Sequence, residues 1–521
     1  MFNLEKPLTF LKKNKLWLKA VCFAFLPWLA CFISCRLQGY NISDVYLPAS
    51  QWNDELFYFK QVEGIMNYGY PYGFFGFNES RADMLSFAAW SPVLVFPWLV
   101  LSLFFGWSLM SPVWFNIILM GLAMFLFVLL VQPGRKQLGI LTLLFLTFTP
   151  ITRFTLSGMP EAICFSMLIL FYALSYSYLK EEKNWKLILQ FVLSALMTLM
   201  RPYLILFLLL PCAFWIYKNR KAGIIASILI IGATGVLYAA INSLLGADYF
   251  TPLFNTAWIT TFIEEGIFAG IYNMLRQLWT MGRSFLQYAL EGVRSGFIPG
   301  AYFAAFLLML LILLYQTYKN IRKKNYKQAI LNGHLTFCFV GMWAALLLMY
   351  KLMEGGRHLL TFMAVGIVAV SVMETRFFKK SMVLCLAFAY LFTYKASDTY
   401  EYQVPFATQE LKANLSYWEE TFSSELILDT SQKPSYENVV IWPYNDKKTN
   451  ETGVFDWQIL YALPAGFGIS CCQVDYVMEN LDSLESRYVA AVPGGELDAM
   501  CAERNYEIIG RMNDVVVYRR K

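Results

Sequence analysis

Charge is what this chain has least of. Asp, Glu, Lys and Arg make up 15% of its 521 residues, against 58% hydrophobic residues, and the mean hydropathy is +0.47. A soluble protein of this length carries closer to ~25% charged residues, so the scarcity excludes an ordinary soluble enzyme. No basic tract is present and the net charge of +6 is small for the length, which argues against a nucleic-acid partner. Histidine is nearly absent, with His334 and His358 alone. The ten cysteines form no pairs of pairs with metal spacing. Cys22, Cys31, Cys164, Cys212, Cys338 and Cys385 lie in apolar runs, as small packing residues do. Cys471, Cys472 and Cys501 lie in the tail, where spacing alone leaves a disulfide open. Internal repeats and low-complexity stretches are missing. So is a small-residue cleavage site after the first apolar run, 16–35, which reads as a retained first helix.

What is abundant is long apolar sequence. After 16–35, runs recur at about 90–106, 112–131, 138–152, 160–179, 186–200, 203–217, 222–245, 297–316, 334–350, 358–373 and 381–396. Several approach or reach the ~20 residues that cross a bilayer as a helix. The fold expected is a polytopic α-helical membrane protein. Basic clusters mark the cytoplasmic side: "LKKNK" before the first run, then "LKEEKNWK", "KNRK", "KNIRKKNYK" and "RFFKK". Working between them puts outside the Tyr-, Phe-, Asn- and Gly-rich segment 36–89, with short interfacial helices, and the Arg201-Pro202 turn. The amphipathic segment 246–296, "KLMEGGRH" and everything after about residue 395 also fall outside. The three runs between residues 90 and 160 conflict with this scheme, because three crossings would end inside. One run must be re-entrant or one boundary must move. Beyond residue 396 the composition turns polar. Strand-like "NVVIW", "RYVAAV" and "DVVVYRR" alternate with helix-like "FDWQILYAL" and "GELDAMCAERN", the pattern of a small α/β domain. The expected organisation is a multi-helix membrane module over 1–396 and an extracytoplasmic α/β domain over 397–521.

Several polar groups fall on the outer side of this scheme: Asp54 and Glu55 in "DELFY", Glu161 in "SGMPEA", Arg201 in "LMRPY", and Glu354, Arg357 and His358 in "MEGGRHLL", with Arg153 nearby. Ionisable residues at membrane helix ends are costly unless they serve a site. A carboxylate can take a proton from a hydroxyl. Arginines can hold a phosphate through two hydrogen bonds and stabilise charge on a leaving group. Each residue also has a plainer reading. Asp54 and Glu55 suit a solvated loop, Glu161 after Pro160 suits a helix start, and Arg357 suits a snorkelling arginine. Arg201 suits the cap of a short hairpin.

The order of these motifs resembles the GT-C superfamily of membrane glycosyltransferases, nearest in motif to the protein O-mannosyltransferases and the aminoarabinose lipid A transferases. Those families place an Asp-Glu pair in the first external loop with a Tyr soon after, here Asp54, Glu55 and Tyr58. They place an acid after a proline at a later helix start, here Pro160 and Glu161, and an Arg-aromatic-Leu motif before a late helix, here Arg357, His358 and Leu359. Where they carry a His-Pro-Pro motif this chain has "WSPVLVFP", with Pro92 but no His and no following Lys. One donor-phosphate contact therefore lacks its counterpart.

The resemblance implies transfer of a sugar from a polyprenyl-phosphate donor to an acceptor hydroxyl on an envelope glycan, lipid or protein, with inversion. On this reading Asp54 is the catalytic base that takes the hydroxyl proton and Glu161 assists it, with Glu55, Tyr58, Arg201, Glu354, Arg357 and His358 as substrate contacts. A divalent cation is not required. If one is used, Asp54, Glu55 and Glu161 offer the hard oxygen ligands it prefers. The expected setting is a bacterial plasma membrane. The rival readings are a transporter or lipid flippase without glycosyl transfer, and a non-catalytic protein whose tail binds a wall polymer.

Overall fold

The computed structural model describes residues 15–49, 53–81, 92–246, 257–295, 297–349, 352–393, 404–427, 436–444, 453–454 and 457–521. Its first half carries helices α1 (Lys15–Ala24), α2 (Leu26–Leu37), α3 (Asn53–Tyr68), α4 (Phe96–Phe105), α5 (Ser111–Val131), α6 (Arg135–Thr147), α7 (Thr149–Thr155), α8 (Glu161–Lys180), α9 (Asn184–Met200), α10 (Ile205–Lys218) and α11 (Arg220–Leu245). Then come α12 (Ala257–Glu264), α13 (Ile267–Ser295), α14 (Phe297–Arg322), α15 (Tyr326–Met349), α16 (Leu352–Val372) and α17 (Arg376–Thr393). Among the described residues six helices are long and apolar enough to cross a membrane, or seven if the bent pair α6–α7 counts as one span. The chain is a multi-pass membrane protein.

The conflict between residues 90 and 160 resolves through lengths and hydrogen bonds. The run expected at 90–106 forms only a short apolar helix, Val93–Phe105, about 20 Å long at 1.5 Å per residue and so too short for a ~30 Å hydrocarbon core. The bend of 66° between α6 and α7 falls at Pro150, which lacks an N–H and pushes the residue before it out of helical conformation. Asn116, near the start of α5, donates to the Thr155 carbonyl at 3.3 Å and the Ser157 carbonyl at 3.0 Å, just beyond α7. Trp98 of α4 donates to the Asn116 side-chain oxygen at 2.9 Å. The start of α5 and the end of α7 therefore meet at one end of the bundle, and two crossings join them.

The basic clusters gather at the opposite end. Lys186 pairs with Glu181 at 3.1 Å, Lys319 with Glu374 at 3.4 Å, and Lys327 with Glu182. Lys180 reaches the last carbonyl of α5, and Gln137 of α6 that of Val372 in α16. Exposed pairs of this kind add little stability, but they fix which helix ends lie together. Lipid offers no hydrophobic force between helices, so close approach needs small residues. At Gly121 of α5 a Cβ would stand 2.7 Å from the Ala24 carbonyl of α1. By contrast α11 turns Ile228, Leu229 and Val236 outward, as a lipid-facing helix does. The segment expected to be amphipathic forms the 29-residue α13, with Phe268 90% and Trp279 75% exposed.

The tail builds a seven-stranded sheet of order β2-β1-β4-β3-β5-β7-β6. Its strands are β1 (Phe75–Phe77), β2 (Ser80–Arg81), β3 (Val439–Tyr444), β4 (Gly468–Gln473), β5 (Tyr488–Ala491), β6 (Tyr506–Met512) and β7 (Val515–Arg520). β1, β4, β3 and β5 run parallel, while β7 and β6 close the far side antiparallel. Helix α18 (Gln409–Glu425) buries Trp418 and Phe422 on one face together with the first loop; α19 (Val474–Asn480) and α20 (Glu496–Glu503) cover the other. Three departures from the sequence reading have physical causes. "GISCCQ" is a central strand buried on both faces, so it lacks alternation. β6 carries a bulge between Ile508 and Gly510 that breaks its period. Within "FDWQILYAL", Trp457–Ala462 is a 3-10 turn, stopped by Pro464. All ten cysteines are free: Cys471 and Cys472 face opposite sides of β4, and Cys501 lies with Cys472.

The first loop and the tail share one core. Strands β1 and β2 come from the loop, and Phe75 pairs with Ile469. Lys60 of α3 is 3% exposed; its ammonium donates to the carbonyls of Tyr461 at 3.2 Å and Leu463 at 2.6 Å and pairs with Glu63 at 2.7 Å. Replacing Lys60 with Met leaves two carbonyls without their donor, a loss of about 1–3 kcal/mol for each such group. Lys60→Met is expected to lower the unfolding temperature of the purified protein by several degrees, and Lys60→Arg by less.

Candidate active site

Asp54 and Glu55 occupy the first turn of α3, where the helix dipole favours negative charge. Asp54 is half-buried and Glu55 fully buried. One turn on, Tyr58 is buried on the same side of the helix as Asp54 and Glu55. The 156–160 segment between α7 and α8 lies directly on this turn: a Cβ added to Gly158 would stand 3.1 Å from the Glu55 Cβ and 3.6 Å from its Cα. Ser157 holds the segment by donating to the Phe154 carbonyl at 2.8 Å and accepting from the Met159 N–H at 3.1 Å. A side chain at 158 would push the acid-bearing turn away. Gly158→Ala is expected to lower stability by about 1–3 kcal/mol through overpacking, and Gly158→Val by more, as read in thermal unfolding of the detergent-purified chain.

Pro160 leads into α8, and Glu161 is its first residue. Its Oε1 accepts from Arg201 Nη2 at 2.8 Å, with both side chains fully buried. Arg201 holds extended backbone between α9 and the Pro202–Leu204 turn, as a residue before proline must. That conformation turns its guanidinium back into the bundle. Nη1 donates to the Tyr203 hydroxyl at 2.9 Å, and Tyr58 and Cys164 lie within electrostatic reach. Arg153 of α7 is also buried. From the tail, Tyr461 comes within electrostatic reach of Glu55: burial first, then the Glu55 carboxylate, push its phenol well above the usual range.

The acid pair, the "SGMPE" segment and the Arg201 turn thus converge beneath the tail. Of the expected residues, Asp54, Glu55, Tyr58, Glu161 and Arg201 come together. Glu354, Arg357 and His358 stand in the first turns of α16, and their side chains lie outside the described residues. His334 donates from Nε2 to the Leu206 carbonyl, 2.8 Å away, as a buried structural histidine. Among the described residues no three His, Cys, Asp or Glu side chains gather to hold a metal. Glu161 is turned to Arg201, so Asp54, Glu55 and Glu161 are not one ligand set as they stand. Sequence reasoning missed Asn116, Gly158, Tyr203 and Tyr461. Gly158 and Tyr203 adjoin motifs already singled out; Tyr461 has no local signal.

No family model and no curated protein matches the chain. Solved structures do resemble it. The archaeal oligosaccharyltransferase AglB from Archaeoglobus fulgidus, in complex with an inhibitory peptide and a dolichol-phosphate, aligns with TM-score 0.48 at 13% identity over 92% of this chain and 70% of that one. A form of the same enzyme with Zn and sulfate aligns with TM-score 0.48 at 14% identity, over 92% of this chain and 71% of that one. ArnT from Cupriavidus metallidurans, bound to undecaprenyl phosphate, aligns with TM-score 0.41 at 10% identity over 96% of this chain and 97% of that one. At these scores the likeness is one of overall arrangement only.

Proposed function

We propose that this protein transfers a sugar from a polyprenyl-phosphate donor to an acceptor hydroxyl, with inversion, at the membrane face away from its basic clusters. The observation that carries the reading is the half-buried Asp54 in the first turn of α3, a turn that packs through Glu55 against Gly158 of the "SGMPE" segment. By the positive-inside rule that face is extracytoplasmic, and the setting is a bacterial plasma membrane. The acceptor oxygen attacks the anomeric carbon as Asp54 takes its proton. The bond from that carbon to the phosphate oxygen breaks, and the lipid phosphate leaves with the electron pair. Arg357 and His358, at the start of α16, are assigned to the departing phosphate. Arg201 was a candidate for the same task; because it is fully buried against Glu161, it is assigned to positioning, holding the start of α8 beside α3. Glu55 supports the turn that carries Asp54.

The transporter reading calls for charges deep within spans. Among the described residues of the membrane bundle, the buried charged groups Arg153, Glu161, Lys186, Arg201 and Lys379 stand at helix ends, which favours the transferase.

The test mixes purified protein, radiolabelled polyprenyl-phosphate sugars and a crude envelope acceptor. Label is expected to pass from at least one donor to the acceptor fraction. Donor crossing sealed vesicles with no label transferred would overturn the proposal.

A further inference from the structure

Between α3 and the tail lies a cavity of about 420 Å³. Three aromatic rings line it, Phe59, Trp107 and Tyr461, and its polar side chains are Glu63, Asn67, Ser108 and Glu419. Phe59 anchors the aromatic wall, stacking on Trp107 at 5.2 Å between ring centres and standing 5.5 Å from Tyr461. Tyr461 is 8% exposed and its hydroxyl is closed off from solvent, so what it offers the cavity is ring rather than oxygen. The polar side has acceptors to spare. Glu63 gives one oxygen to Lys60, Asn67 spends its N–H on the Glu63 carbonyl, and Glu419 is exposed. No Lys or Arg lines the cavity, so it offers an anion nothing. Flat apolar rings opposite convergent carboxylate and amide oxygens suit a ligand with an apolar face and an edge of hydroxyls.

We propose that this cavity is the acceptor subsite and binds an uncharged saccharide ring, stacked on Trp107 with its hydroxyls toward Glu63 and Asn67. The assignment rests on the transferase reading. It adds that the acceptor is a glycan, presented along α3 toward Asp54, which lies about three turns back along the helix from Glu63 and Asn67.

The test measures binding, not turnover. Ligand-observed NMR on the detergent-purified full chain would be run with methyl glycosides of glucose, galactose, mannose and N-acetylglucosamine. At least one is expected to bind. Trp107→Ala should weaken it at least tenfold and Asn67→Ala severalfold, while Phe104→Ala, an exposed residue outside the lining, leaves it unchanged. Asn67 is exposed on α3, so Asn67→Ala separates lost recognition from misfolding, and thermal unfolding is checked alongside. Binding equal to wild type in both cavity variants, or no binding by wild type while it still transfers sugar to envelope acceptor, overturns the subsite and leaves the transferase standing. Binding that follows this pattern without any donor turnover supports the subsite and sinks the transferase reading.

Discussion

Arg201→Leu should destabilise this protein more than Gly158→Ala, because it leaves the Glu161 carboxylate buried without its cation. Both partners are fully buried and 2.8 Å apart. Breaking such a pair from one side costs about 3–5 kcal/mol, whereas replacing both partners with apolar residues of similar volume is often near neutral. Glu161→Leu should therefore be about as damaging as Arg201→Leu, and the double variant should recover most of the unfolding temperature. Transfer separates the two roles the pair could play. If it positions the start of α8 against Gly158 and the acid-bearing turn, the double variant folds but transfers sugar poorly. A double variant with full stability and full activity would reduce the pair to a structural tie. A double variant as unstable as the singles would mean that the two charges are not coupled.

The convergence behind that prediction is only partly legible in the sequence. Span limits are readable because the bilayer fixes the length of an apolar run: 112–131 corresponds to Ser111–Val131, 160–179 to Glu161–Lys180 and 186–200 to Asn184–Met200. Helix ends also expose their polar residues as motifs, which is why Asp54, Glu161 and Arg201 stand out without any knowledge of their geometry. What stays hidden depends on backbone pairing between distant segments. "GFFGFNESR" reads as an aromatic interfacial loop, yet it supplies two edge strands to the tail sheet, and Glu79 bonds to Ser470 across 391 residues. Lys60 looks like an ordinary helix cation until the carbonyls of Tyr461 and Leu463 arrive to receive it. Tyr461 reaches the acid pair by the same route. Membrane helices announce themselves by composition. The cap over the site is held by contacts that no local pattern encodes.

That cap makes the second large prediction a kinetic one. Asp54→Asn keeps the shape of the side chain and removes its capacity to take a proton. Positioned acid–base groups contribute typically 10²–10⁴-fold, so transfer should fall at least ~100-fold. Asp54 is half-buried, and what its charge adds at the helix start is only about 0.3–1 kcal/mol, so the unfolding temperature should barely move. The loss should appear in kcat with KM for the acceptor little changed, since a proton acceptor acts in the transition state and adds little to ground-state binding. Glu55→Gln provides the contrast. Glu55 is fully buried within electrostatic reach of Tyr461, so its loss should lower stability and disturb Asp54 indirectly, with a smaller kinetic penalty. If Asp54→Asn instead keeps more than a tenth of wild-type kcat while Glu55→Gln loses it, the base is the buried member of the pair, and the half-buried one only guides the acceptor toward it.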